Sequence, residues 1–174
     1  MINIKIYRYS RKMEFPKNYE YFEKETTNIS EKLIKEQGTD ICRKMIDSHY
    51  INIQVKDYTF GFLHKVPLAQ IGQKSHRSPT YNISSFVLCK LHPEIEHVDI
   101  SLICSRPNAK DGKKLIELAT QKSIELDYKY LSLLSIGEPK LVNWYKTQGF
   151  IVVSEKMYPN GELKAYSMIK QIKR

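Results

Sequence analysis

The chain has 174 residues, 41% of them hydrophobic and 27% charged, the make-up of one globular domain. A chain of this size buries roughly 70% of the surface its unfolded form exposes, so composition excludes a stapled mini-protein, a collagen and a disordered tail. Twenty-eight lysines and arginines against 19 aspartates and glutamates leave a net charge of +9, of which +7 lies after residue 63, and such an excess calls for an anionic partner.

Cys42, Cys89 and Cys104 form an odd set with no close pair. They read as small apolar fillers in a reducing compartment, without structural disulfides. No run approaches the roughly 18 apolar residues of a membrane span, and Lys5 and Arg8 interrupt the stretch where a secretion signal would lie. A soluble, cytoplasmic protein with no membrane partner is expected.

Ile2, Ile4 and Ile6 alternate with polar neighbours and predict an opening strand, followed by a polar, aromatic-rich stretch to about Thr27. From Ser30 to Ser48, Leu33, Ile34, Ile41, Met45 and Ile46 recur at helical spacing, with Gly38 expected to break the segment into two helices. Ile51, Ile53 and Val55 alternate again and predict a strand, which Lys56 to Tyr58 turn into another through Phe60 and Phe62. Residues 67–82 hold Pro67, Gly72 and Pro79 with little periodicity and read as a long exposed loop. Strands are predicted at Ser84 to Leu91 and His97 to Cys104, a loop at Ser105 to Gly112, and a helix at Lys113 to Leu126. Tyr130 to Ile136 reads as a strand, Glu138 to Gln148 as a short helix ended by Gly149, and Phe150 to Ser154 as a strand. The turn Pro159-Asn160-Gly161 then leads to a last strand ending near Ile169.

Strand, loop, helix and strand from His97 to Ile136 make a βαβ unit, with antiparallel hairpins on both sides. The prediction is a single domain over residues 1–174 of mixed α/β (α+β) class. Its central sheet is mostly antiparallel, with one βαβ crossover and flanking helices.

The stretch Val98-Asp99-Ile100-Ser101-Leu102-Ile103-Cys104, then a polar loop, then Gly112-Lys113-Lys114-Leu115-Ile116, resembles the acyl-coenzyme A motif of the GNAT superfamily of N-acetyltransferases. Further on, Asn143-Trp144-Tyr145-Lys146-Thr147-Gln148-Gly149-Phe150 resembles a second signature of that family, a tyrosine four residues before a Gly-Phe pair. The resemblance covers residues 97–155 and implies a GNAT-like fold that binds acetyl-CoA and passes its acetyl group to a primary amine by direct attack on the thioester. It also implies that the backbone of Leu102, Ile103 and Cys104 pairs with the pantetheine arm, in a gap where this strand parts from the next.

The loop before a helix N-terminus suits a pyrophosphate on physical grounds, because unpaired N–H groups and the positive end of the helix dipole converge there. Arg106, Asn108, Ala109, Lys110, Asp111, Gly112 and Lys113 are the candidate binding residues, with Asp111 the one opposing charge. The family pattern of Gln or Arg, two residues, Gly, one residue, Gly or Ala is broken here. Pro107 stands in its first position and Lys110 in place of its first glycine, with Arg106 one residue early.

By resemblance Tyr145 is the general acid, since a phenol near its ordinary pKa of about 10 can protonate a leaving thiolate of about 8.5. A base is also needed to free the amine's lone pair. Asp99 is the candidate, with His97 and Glu96 just before it, although by alternation Asp99 points away from Val98, Ile100 and Leu102. No metal is expected: His92 and His97, five apart, lack metal spacing. The expected partners are acetyl-CoA and a small-molecule or peptide amine, in a monomer or homodimer, rather than nucleic acid. Two alternatives stay open: a basic nucleic-acid module, carried by Tyr7-Arg8-Tyr9 and the basic tail Lys164 to Arg174, and an inactive acyl-CoA-binding protein.

Overall fold

A computed structural model describes residues 16–24, 28–67, 81–157 and 164–172. The predicted strand at Ile2 to Ile6, most of the 67–82 loop, the Pro159-Asn160-Gly161 turn and the end of the basic tail lie outside them.

Strand β1 (Tyr19–Glu23) sits inside the polar, aromatic-rich stretch before Thr27, and is held by antiparallel pairing with β2. Helix α1 (Asn28–Ile41) buries Leu33, Ile34 and Ile41 and runs through Gly38 without a break. A Cβ on Gly38 would stand 3.1 Å from Ile51 Cδ1, so this glycine serves the close approach of α1 to α2. Helix α2 (Ser48–Asp57) replaces the strand expected at Ile51 to Val55. The side chain of Asp47 accepts from Tyr50 N–H and starts the helix. Ile51 and Val55, four apart, then share its buried face while Ile53 is exposed. Three apolar residues at alternate positions fit either period, and the cap decides between them.

Next come β2 (Phe60–Pro67), β3 (Tyr81–His92), a 3₁₀ turn at Pro93–Ile95, β4 (His97–Ser105), α3 (Gly112–Glu125), β5 (Tyr130–Ile136), α4 (Pro139–Thr147), β6 (Ile151–Met157) and β7 (Lys164–Gln171). Among the described residues these strands form one seven-stranded sheet in the order β1-β2-β3-β4-β5-β7-β6. Only β4 and β5 are parallel, joined through α3 as the βαβ unit required. Helices α1 and α2 cover one face through Phe22, Leu63, Phe86 and Leu88. Helices α3 and α4 cover the other through Phe62, Val87, Leu131 and Met168.

Strand β4 does not alternate simply. Leu88 of β3 faces Leu102 and Cys89 faces Ile100, so Ser101 is an extra residue, a β-bulge. Val98 and Ile100 therefore point toward α3, whereas Leu102 and Cys104 point toward α1 and α2. The expectation that Val98, Ile100 and Leu102 share a face is corrected by that one residue. At the same level the pairing of β4 with β5 stops: its last rung is Ile100 with Leu133, although β4 continues to Ser105 and β5 to Ile136.

The cysteines also depart from expectation. Cys42, just past α1, is bonded to Cys104 of β4, while Cys89 is a buried free thiol. Sixty-two residues separate the pair, so no sequence spacing reveals it; the end of α1 lying over the bulged part of β4 brings the two together. Closing a loop of that length removes about 4 kcal/mol of conformational entropy from the unfolded chain. Cys42→Ala, or a thiol reductant on the unmodified chain, should lower the melting temperature by on the order of 10 °C in calorimetry, and the variant should no longer respond to reductant.

Candidate functional site

Where β4 and β5 part, a cleft of about 490 Å³ opens. Ile103 and Ser105 of β4 form its floor, Leu141, Trp144 and Tyr145 of α4 one wall, and Arg106, Pro107 and Lys110 of the β4–α3 loop its mouth. Gly112 and Lys113 bring the start of α3 to it, and Arg43 reaches it from the segment between α1 and α2. Among the described residues every charged side chain of the lining is a cation: Arg43, Arg106, Lys110 and Lys113. Along the open edge of β4, past Ile100, the ladder to β5 supplies no hydrogen bonds, so backbone groups there are available to an extended ligand.

The loop is shaped by a few backbone contacts. Arg106 donates its N–H to Ser84 O (2.8 Å) and its Nε–H to Ile83 O (3.3 Å), which pins the loop to β3. Ala109 N–H closes a turn onto Arg106 O. Lys110 then takes φ +52°, a left-handed conformation that favours glycine. Glycine would take this backbone without strain, and lysine adopts it at a cost. The first intrahelical bond is Leu115 N–H to Asp111 O, which leaves the N–H groups of the first turn of α3 without helical partners. A Cβ on Gly112 would meet Trp144 Cη2 at 3.0 Å, so glycine there keeps α3 and α4 close across the cleft.

Tyr145 is 6% exposed, with its ring edge-on to Trp144 and Phe150 at centroid distances of 5.0 and 5.9 Å. Among the described residues its hydroxyl has no hydrogen-bond partner. Burial pushes its pKa up to about 12, above the ordinary value expected from sequence. The Tyr-x₃-Gly-Phe spacing has a backbone explanation. Gly149 at φ +90° ends α4, donating to Lys146 O, while Phe150 N–H reaches back to Tyr145 O; this is a Schellman closure that folds Phe150 against Tyr145.

Asp99 lies elsewhere. It sits in the paired part of β4, roughly 13 Å along the strand from Ile103, opposite Lys90, and accepts from Ser132 Oγ at 3.0 Å. Burial raises its pKa against the opposing hydrogen bond from Ser132. His97 packs edge-on against Tyr130, and Glu96 is paired with Lys129, both at the start of β4. None of the three lines the cleft. The bulge turns the Leu102 and Cys104 side chains to the α1/α2 face and leaves Ile103 and Ser105 toward the cleft. Asn108 is exposed and Ala109 half-buried at the loop tip, outside the lining. Asp111 is turned away from the cleft and is 7% exposed, beneath α3. Sequence reasoning missed Arg43, Ser105, Leu141 and Trp144. Trp144 stands beside Tyr145 in the recognised motif; Arg43 carries no local signal, because its place depends on the turn after α1, where it and Lys44 both take φ +56°.

The sequence matches no protein-family model and no curated protein. Among solved structures, an aminoglycoside 6'-N-acetyltransferase complexed with coenzyme A superposes with a TM-score of 0.63 at 8% identity, covering 90% of this chain and 97% of that one. The ribosomal-protein-S18-alanine N-acetyltransferase of Escherichia coli superposes with a TM-score of 0.61 at 12% identity, covering 90% and 95%. For nourseothricin acetyltransferase the TM-score is 0.52 at 15% identity, with 66% of this chain spanning 65% of that protein's length. The fold is that of the GNAT acetyltransferases.

Gly149→Ala should destabilise the protein by about 1–2 kcal/mol in urea titration, because a side chain at φ +90° is strained whatever space surrounds it.

Proposed function

We propose that this chain, which carries the fold of the GNAT acetyltransferases, is an acetyl-CoA-dependent N-acetyltransferase over residues 1–174. The observation that carries the reading is a buried phenol, Tyr145, whose hydroxyl has no partner among the described residues, on the wall of a cleft where every charged side chain of the described lining is a cation. Acetyl-CoA would supply the thioester that an amine attacks and the thiolate that leaves. The residues present fit it: the open edge of β4 suits an extended amide chain, and Arg106, Lys110, Lys113 and the first N–H groups of α3 suit a pyrophosphate.

Tyr145 donates the proton that the departing sulfur takes up. Its raised pKa of about 12 keeps it protonated at every pH at which the protein would work. Among the described residues no carboxylate or imidazole lines the cleft, so in this reading the attacking amine gives its proton to water rather than to Asp99.

Free-thiol release from acetyl-CoA across a panel of primary amines tests the reading. Tyr145→Phe should reduce turnover by about 10² or more while leaving coenzyme A affinity, read by calorimetry, unchanged. Failure of the unmodified chain to bind coenzyme A overturns the proposal, and binding without thiol release on any amine reduces it to an inactive acyl-CoA-binding protein.

The pH profile tests whether a side-chain base takes part. With saturating acetyl-CoA and an amine well below its own KM, the rate should rise about tenfold per pH unit toward the amine's pKa of about 10, with no alkaline decline below about 12, where Tyr145 ionises. A plateau above about pH 6 or 7 would instead reveal a side-chain base.

A further inference from the structure

Beneath the first turn of α3 lies a polar cluster that the proposed reaction does not use. The Asp111 carboxylate collects donors from three strands. Tyr19 OH of β1 reaches Oδ1 at 3.0 Å; Ser84 and Ser85 Oγ of β3 reach Oδ2 at 2.9 and 2.8 Å; His64 Nδ1 of β2 reaches Oδ2 at 2.8 Å. The Tyr19 ring stacks on His64, 4.5 Å between centroids and 10° from parallel. Both serines face α3 because the β2–β3 register shifts here. His64 faces Ser85 and Lys65 faces Ile83, which leaves Ser84 as an extra residue.

Serine, histidine and aspartate in contact invite comparison with a nucleophilic triad, but the geometry is different. Ser84 Oγ lies 2.8 Å from the same Nδ1 that Asp111 contacts, whereas a triad needs serine and acid on opposite ring nitrogens. A carboxylate only accepts, so His64 Nδ1 carries a proton and donates it. Burial alone would raise the Asp111 pKa; the hydrogen bonds from His64, Ser85 and Ser84 outweigh it and hold the carboxyl below its usual value.

Asp111's place in the chain gives the cluster a purpose. It stands between Lys110, strained at φ +52°, and Gly112, where the free N–H groups of α3 begin, and both neighbours line the cleft. We propose that Asp111 is a positioning residue: its four-donor anchor holds Lys110 in the left-handed conformation and so aims the loop and the first N–H groups of α3 at the phosphates of the acyl donor. The inference rests on the acyl-CoA reading above and deepens it. Lysine tolerates a backbone that favours glycine because the next residue is tied to three strands.

A double-mutant cycle tests this, with coenzyme A as the probe. Asp111→Asn in the unmodified chain should weaken coenzyme A binding by about tenfold, the scale of the strain released, with turnover at saturating acetyl-CoA changed far less. In a Lys110→Gly background, where the backbone needs no restraint, the same substitution should cost less than about threefold. An equal cost in both backgrounds would mean that the cluster merely holds α3 in place, and would overturn the proposal. Should Asp111→Asn fail to fold, Ser85→Ala, which removes one donor, runs the same cycle. Amide hydrogen exchange at residues 110–113 without ligand should accelerate in Asp111→Asn only when Lys110 is present, and unchanged exchange also overturns the anchor. If the unmodified chain binds no coenzyme A, the reading beneath the proposal falls and the phosphate role falls with it, while the exchange result still decides whether Asp111 restrains Lys110.

Discussion

The parting of β4 from β5 is the constraint on which the rest depends. Parallel strands pair as long as their backbones keep one twist and one spacing. Here an extra residue in β4, Ser101, bends the strand one step past the last shared rung, Ile100 with Leu133. The bulge does two things at once. It releases the far edge of β4 from its ladder, and it exchanges the faces of the strand, so that Ile103 and Ser105 turn to the cleft while Leu102 and Cys104 turn to the core under α1 and α2. Without the exchange the cleft floor would be Leu102 and Cys104. Without the release there would be no cleft, because β5 would cover the edge of β4 to its end.

Several features hold the two sides of that opening in place. On one side, the Cys42–Cys104 bond ties the bulged half of β4 to the turn after α1, which carries Arg43. On the other, the Gly149 closure presses Phe150 onto Tyr145, and the bare Cα of Gly112 lets Trp144 approach α3. Among the described residues no partner competes for the Tyr145 hydroxyl, so the ring is fixed by packing alone and its polar end is left to a ligand. Buried polar groups in proteins are nearly always paired, and an unpaired one on the wall of a cleft is the usual sign of something that binds there.

Much of this architecture was legible in the sequence, for identifiable reasons. The βαβ unit, the helix ended by Gly149 and the hairpin partners follow from long, strongly periodic segments and from glycine at a helix end, which are local signals. What the sequence concealed is non-local. Ile51 to Val55 carried an ambiguous period that a cap at Asp47 resolved. Strand β1 has no pattern of its own and exists because β2 offers it an edge. Cys42 and Cys104 pair only after α1 has packed on the sheet. The bulge at Ser101 is invisible because an extra residue in a strand leaves the alternation intact and changes only which face each later residue takes. The cleft divided in the same way: the β4–α3 loop and Tyr145 stand in sequence motifs, whereas Arg43 and the partners of Asp111 come from other strands and turns.

The charge that first distinguished this sequence is now localised by what surrounds it. On much of the described surface lysines are matched by acids: Lys24 and Lys35 with Glu31, Lys90 with Asp57, Lys114 with Glu117, Lys129 with Glu96, Lys164 with Glu155. These pairs are exposed or half-exposed and contribute little to stability, but they cancel one another's field. Arg43, Arg106, Lys110 and Lys113 have no ion-pair partner among the described residues, and all four converge on one cleft. Asp111, the acid nearest the last three in sequence, is turned beneath α3, where His64 and three hydroxyls take up its charge. A cleft with low-dielectric walls concentrates the field of cations left unneutralised at its mouth. The anchor therefore serves electrostatics as well as geometry: by withdrawing the one carboxylate of the loop from the cleft, it leaves cations as the only charged side chains of the lining among the described residues.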